Sequence, residues 1–237
     1  MRASVNKTLH LEMRDVHCCP PGRPALRGVN LRISRGTFLA IAGPNGSAKG
    51  TLCRCLARLI KEHQGEILLD GGHLPNSPQD LAAVGLMVVL QGRKVFPEMS
   101  VLENLFSAPM TWRTPGRRER LDGVIRLLPH LKDRFRQMAG TLSGGEQQMV
   151  AIGRALMAEP RCLVFEEPSM GLAESTTRAV YSALAQISQE GRTVVVTEET
   201  LTIAGCYASE TCSMEQGRIT TIARLPPIYS GATPAFV

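Results

Sequence analysis

Apolar residues in this chain come in short continuous runs, separated by segments where they recur every three or four positions. The runs TFLAIAG (37–43), GEILLDG (65–71), GLMVVLQ (85–91), RCLVFEE (161–167) and RTVVVTE (192–198) read as strands buried on both faces. Helical spacing lies between them: from about Lys49 to Ile60, through most of 100–157, and near 173–189. The middle stretch is broken at Pro109, Pro115 and Gly140-Thr141. Strands alternating with helices predict a central parallel sheet covered on both faces, an α/β fold. Toward the end, ETCSMEQGRITTIA predicts a hairpin turning at Gln216-Gly217.

The helical stretch interrupts the order of the core strands. It therefore reads as a lobe inserted into one domain, not as a second domain. The expected division of 1–237 is a core over about 8–91 and 158–225, a helical lobe over about 92–157, and a frayed tail over 226–237.

Composition changes this picture little. With 43% hydrophobic and 20% charged residues, the chain of 237 has the make-up of an ordinary globular protein. Its longest apolar stretch, AAVGLMVVL (82–90), falls short of the roughly 20 residues of a membrane span. The start, MRASVNKTLHLEM, lacks an apolar core of signal-peptide length, so a cytosolic chain is expected. Seven cysteines, at 18, 19, 53, 55, 162, 206 and 212, argue for free thiols. Histidines at 10, 17, 63, 73 and 130 show no metal-ligand spacing. The net charge of +6 gathers partly at Arg113, Arg117, Arg118 and Arg120. An anionic partner or membrane surface would use such a group, though a solvated helix face is the simpler reading.

The candidate chemistry begins at Gly43-Pro44-Asn45-Gly46-Ser47-Ala48-Lys49-Gly50-Thr51, between an apolar strand and a helix. The layout is that of a phosphate-binding loop, G-x-x-x-x-G-K-[ST]. Backbone N–H groups of such a turn, feeding a helix N-terminus, bind phosphate oxygens, and a lysine adds a point charge. A second element is TLSGGEQQMVAIGRALM (141–157), where Ser143, Gly144 and Gly145 open a helix suited to receiving a terminal phosphate, with Gln147 one turn in.

The string SGGEQ resembles the signature sequence of ATP-binding cassette (ABC) ATPases, and the resemblance extends over nearly the whole chain. CLVFEEP (162–168) resembles the Walker B strand, with Glu166 at the magnesium-organising position and Glu167 as the catalytic glutamate. SMGLA (169–173) resembles the loop that follows it, and Gln91 matches the glutamine that senses the metal and the terminal phosphate. LQGRKVFPEMSVLENL looks like the smaller ATPase subunit of branched-chain amino-acid importers. The resemblance implies ATP and Mg²⁺ as cofactors, with Gln91 and Glu166 on the metal. It implies a dimer with a homologous ATPase subunit, in which Ser143, Gly144, Gly145 and Gln147 serve the partner's nucleotide. Two membrane permeases and, indirectly, an external solute-binding protein would complete an importer at the cytoplasmic face of the inner membrane. Cassettes that act on nucleic acid carry long insertions that have no counterpart here, so no nucleic-acid partner is expected.

Five positions depart from the pattern. Ala48 replaces a glycine, Gly50 a hydroxyl residue, Glu166 and Ala173 aspartates, and Glu199 stands at the switch position, histidine in most cassettes. No aromatic residue lies near Cys18-Cys19-Pro20 to stack on adenine. Two readings follow: a transport ATPase with impaired turnover, or a nucleotide-binding partner that does not hydrolyse and lends its signature loop to a competent subunit.

Overall fold

The computed structural model describes residues 9–109 and 116–224. Its main sheet has six strands in the order β10(Arg218–Arg224), β9(Glu210–Glu215), β3(Phe38–Ala42), β8(Thr193–Glu198), β7(Cys162–Glu166) and β6(Leu86–Val89). Pairing is parallel from β9 to β6, and only β10 runs antiparallel, through the expected turn at Gln216-Gly217. β3 and the central residues of β7 and β8 are apolar because both faces of the sheet are covered there.

One face meets α4(Gly144–Leu156) and α5(Glu174–Gln189). Phe38, Leu163, Phe165, Val194 and Val196 share a core with these helices. The same core continues without a break into α2(Val101–Phe106) and α3(Arg117–Leu127), through Val101, Leu105, Val124 and Leu127. The segment 100–157 is less helical than its spacing suggested, with 3₁₀ turns at Pro129–Arg134 and Ala139–Thr141 between its helices.

The other face carries α1(Lys49–Leu56), itself covered by a second, antiparallel sheet that the sequence did not predict; the run GEILLDG, expected in the central parallel sheet, lies instead in this one, antiparallel to its neighbours. That sheet comprises β2(Leu26–Ser34), β1(Leu9–Cys18), β4(Gln64–Leu69) and β5(Gly72–His73), in that order. Glu12 stands on the outer face of β1, opposite the core residues Leu11 and Met13, and is buried there because Arg14 and Arg32 bond its carboxylate at 2.7 and 2.8 Å. Register shifts between Met13 and Val16 then break the alternation. α1 also ends earlier than Ile60, because Arg58 turns to φ +56° and anchors its guanidinium on the Leu74 and Pro75 carbonyls.

The seven cysteines are free thiols. Burial pushes those of Cys53, Cys55, Cys162 and Cys212 up to about 12 and raises that of Cys18, while Cys19 is exposed just beyond β1. Of the basic group, Arg117 stacks on the Phe106 ring at 4.1 Å, and Arg120 pairs with Glu159 at 2.9 Å. Both are occupied in holding the helical segment together. Arg113 and the tail over 226–237 lie outside the described residues, among which no helix is long and apolar enough to cross a membrane.

Candidate functional site

Five parallel strands end at one edge of the sheet, and the loops beyond them carry most of the chemical groups, as expected for an open α/β sheet. After β3, Gly43 N donates to Glu198 O at 3.1 Å and Ser47 N to Pro44 O at 3.1 Å, which curls the loop. A Cβ on Gly43 would stand 2.2 Å from Met214 O, so the close approach of β9 demands glycine there. Lys49 opens α1, its side chain 5% exposed. Its Nζ donates to Gly43 O at 2.6 Å and Pro44 O at 3.2 Å, and lies 3.4 Å from Glu167 Oε1.

Ala48 adopts φ +82°, ψ 16°, the left-handed conformation that favours glycine. The strain of about 1–2 kcal/mol is offset only in part by burial of its methyl, worth ~0.8 kcal/mol.

From the opposite side, Gln91 Nε2 donates to Glu167 Oε2 at 2.9 Å, joining the loop after β6 to the loop after β7. Glu167 itself sits at φ +46°, an unusual conformation for a residue with a side chain and one that recurs at functional positions. Residues from both loops line a cleft of about 210 Å³, together with Arg23, Pro24, Asn45, Gly46, Ala48, Gly50, Thr51, Arg54 and Glu166. Thr51 Oγ1 donates to Pro24 O at 2.7 Å, which brings the β1–β2 turn to the rim.

The donor set does not suit the Mg²⁺ expected at Gln91 and Glu166. Gly50 offers no hydroxyl. Glu166, 6% exposed, accepts from Arg54 Nη1 on Oε1 at 2.8 Å and from Gln91 N on Oε2 at 3.1 Å. A divalent ion takes carboxylate oxygens and waters, and here it would meet a guanidinium on the only nearby acid besides Glu167.

Glu199 is exposed and faces a separate cleft of about 470 Å³, whose lining includes Glu167, Ser169, Glu174, Tyr181 and Glu198. Its neighbour Glu198 was not foreseen. It is buried, accepting from Tyr181 Oη at 2.5 Å and from Ser169 N at 3.1 Å, and burial raises its carboxyl above the usual range. The folded state therefore holds this proton more tightly than the unfolded chain. Stability falls as pH rises from the unfolded carboxyl value through the folded one. Glu198→Gln keeps the acceptor oxygen without the charge. Its melting temperature is expected to exceed the wild type's at pH 8, with the gain shrinking toward pH 5 in parallel thermal melts.

The signature residues line neither cleft. Ser143 is exposed and caps α4 reciprocally: Ser143 Oγ accepts from Glu146 N at 3.3 Å, and Glu146 Oε2 accepts from Ser143 N at 2.8 Å. Gly144 is half-buried beside the Arg93 guanidinium, Gly145 is buried, and Gln147 Nε2 donates to Leu142 O at 3.2 Å. Within one chain these residues do not reach Lys49's cleft. Ala173 precedes α5 as its N-cap and supplies no side-chain hydrogen bond. Ala173→Asp is expected to stabilise the fold by about 1 kcal/mol, a rise of roughly 2–4 °C in melting temperature by calorimetry.

Sequence reasoning missed Arg54, Glu198, Tyr181 and Arg93. Arg54 alone had a legible signal, since it follows Gly50 by one helical turn and so shares its face.

Comparison with known proteins agrees with this geometry. A family model described as ABC transporter matches residues 26–170. The high-affinity branched-chain amino acid transport ATP-binding protein BraG of Pseudomonas aeruginosa is 36% identical over 196 residues, 82% of this chain and 84% of that protein. The glutamate/glutamine/aspartate/asparagine transport ATP-binding protein BztD of Rhodobacter capsulatus is 34% identical over 198 residues, 82% of this chain and 75% of that protein. Among solved structures, the ADP conformation of an ATP-binding cassette of an ABC transporter is similar with a TM-score of 0.81 at 27% identity, covering 91% of each chain.

Proposed function

The chain belongs to the ABC transporter family, and we propose that it is the ATP-binding subunit of an amino-acid importer whose turnover is slowed by Gly50 and the Arg54–Glu166 pair. The observation that carries this reading is the convergence of Lys49, Gln91 and Glu167 on one cleft at the sheet edge. The loop's N–H groups and Lys49 hold the phosphates, and Glu167 stands where a carboxylate can take a proton from water attacking the terminal one. The relatives named above are named for transport of branched-chain amino acids and of glutamate, glutamine, aspartate and asparagine, and the string LQGRKVFPEMSVLENL favours the branched-chain class.

A homologous ATPase subunit would bring a signature loop to this cleft and receive Ser143, Gly144, Gly145 and Gln147 in return. The permease side would use a second hollow, about 540 Å³, between β6 and α4. It is mainly apolar, lined by Met87, Val89, Val95 and Phe96, with Lys94 and Arg154 as its cations. Phe96 is 49% exposed, while Val101 and Leu105 from the same string are buried core. Such a hollow suits a short helix carrying an apolar face and one acid. Attachment there would hold the chain at the cytoplasmic face of the membrane.

A second reading, a cassette that binds nucleotide without hydrolysing it, draws on the Arg54–Glu166 pair. ATP hydrolysis by the purified chain, with Glu167→Gln as control, separates the two. Turnover above the control supports the ATPase. Turnover equal to the control, with ATP still bound, supports the second reading, and failure to bind ATP rejects both.

A further inference from the structure

We infer that the Arg54 guanidinium supplies the positive charge that a divalent cation would otherwise bring to the phosphates, so that this chain binds ATP without metal. The inference rests on the reading of the Lys49 loop as the nucleotide site. Its starting point is Gly50, where an added Cβ would stand 2.6 Å from Glu166 Oε1 and 2.7 Å from Arg54 Nη1. The space of the missing hydroxyl side chain is filled by an ion pair.

Each of the three residues makes sense through the other two. Loss of the side chain at 50 makes room. The glutamate at 166 reaches a methylene further than aspartate, and its Oε1 accepts from Arg54 Nη1 at 2.8 Å. Arg54 Nη1 also donates to Gly50 O at 2.9 Å, which fixes the guanidinium against the first turn of α1. These bonds engage Nη1, and a guanidinium carries five N–H donors in a planar fork that matches phosphate oxygens. Arg54 is 22% exposed and lines the cleft with Lys49 and Arg23, so three cations face Glu166 and Glu167 there. A hydrolytic metal site has been rebuilt as an internal counter-ion.

The test is ATP binding to the full purified chain, by calorimetry, in excess EDTA and in excess Mg²⁺. The wild-type Kd is expected to agree within about threefold between the two conditions. In EDTA, Arg54→Met should bind about tenfold or more weakly, and Arg54→Lys should recover part of the loss, since it keeps the charge without the fork. The Gly50→Ser, Glu166→Asp double variant should become dependent on Mg²⁺. A wild-type Kd more than about threefold tighter in Mg²⁺ overturns the inference while leaving the nucleotide site in place. No ATP binding in either condition overturns the nucleotide site and the inference together. The EDTA comparison uses the wild type alone, so a misfolded Arg54→Met does not remove the test.

Discussion

Lys49→Ala is expected to weaken ATP binding on the order of 100-fold, because two charge-assisted bonds to phosphate are worth about 3 kcal/mol or more together. In the structure the ammonium is held by the Gly43 and Pro44 carbonyls and lies 3.4 Å from Glu167. Nucleotide must compete with those contacts, which keeps the effect below the full value of two buried ionic bonds. The same contacts give the variant a second signature. Without Nζ, Glu167 retains only its bond from Gln91 among those described, and the loop carbonyls lose their donor. Calorimetric titration with ATP, alongside a melt of the nucleotide-free protein, separates the two effects. An unchanged Kd would mean that the loop after β3 does not hold the phosphates.

Tyr181→Ala is expected to be the most destabilising single change in the described core, at about 3–5 kcal/mol. Its ring is fully buried between Phe38 and Tyr207, with centroids 6.3 and 5.9 Å away, and its hydroxyl bonds Glu198 at 2.5 Å. Removing it opens a cavity and strips a buried carboxylate of a donor. At roughly 2–4 °C per kcal/mol for a chain of this size, the melting temperature should fall by about 10–15 °C. Tyr181→Phe keeps the packing and loses only the hydroxyl, for a cost of about 1–3 kcal/mol. If the two variants melt together, packing is not the larger part, and the ring stack contributes less than its burial implies.

The parallel sheet was legible because β3 and the centres of β7 and β8 are short continuous apolar runs, as strands covered on both faces are. The antiparallel sheet was not, because the alternation of its β1 is broken by register shifts between Met13 and Val16. The loop motif likewise announced Lys49, and the positive φ at Ala48 follows from the glycine that usually stands there. What the sequence could not convey is how departures combine. Gly50 and Glu166 read as two separate losses until Arg54 is seen between them. Glu198 was hidden for a related reason. A carboxylate at the end of an apolar strand looks exposed, and its burial depends on Tyr181, seventeen positions earlier on α5, together with the Ser169 N–H.

The distribution of thiols has a practical consequence. A maleimide dye at neutral pH needs a thiolate it can reach. Cys18 and the four deep cysteines are sealed in the core, and Cys206 is half-covered with its sulfur 3.6 Å from Thr202 O. Cys19 alone is exposed, a few residues before Arg23 and Pro24 at the rim of Lys49's cleft. The protein thus carries a native attachment point for a fluorophore close to that cleft, with no engineered residue.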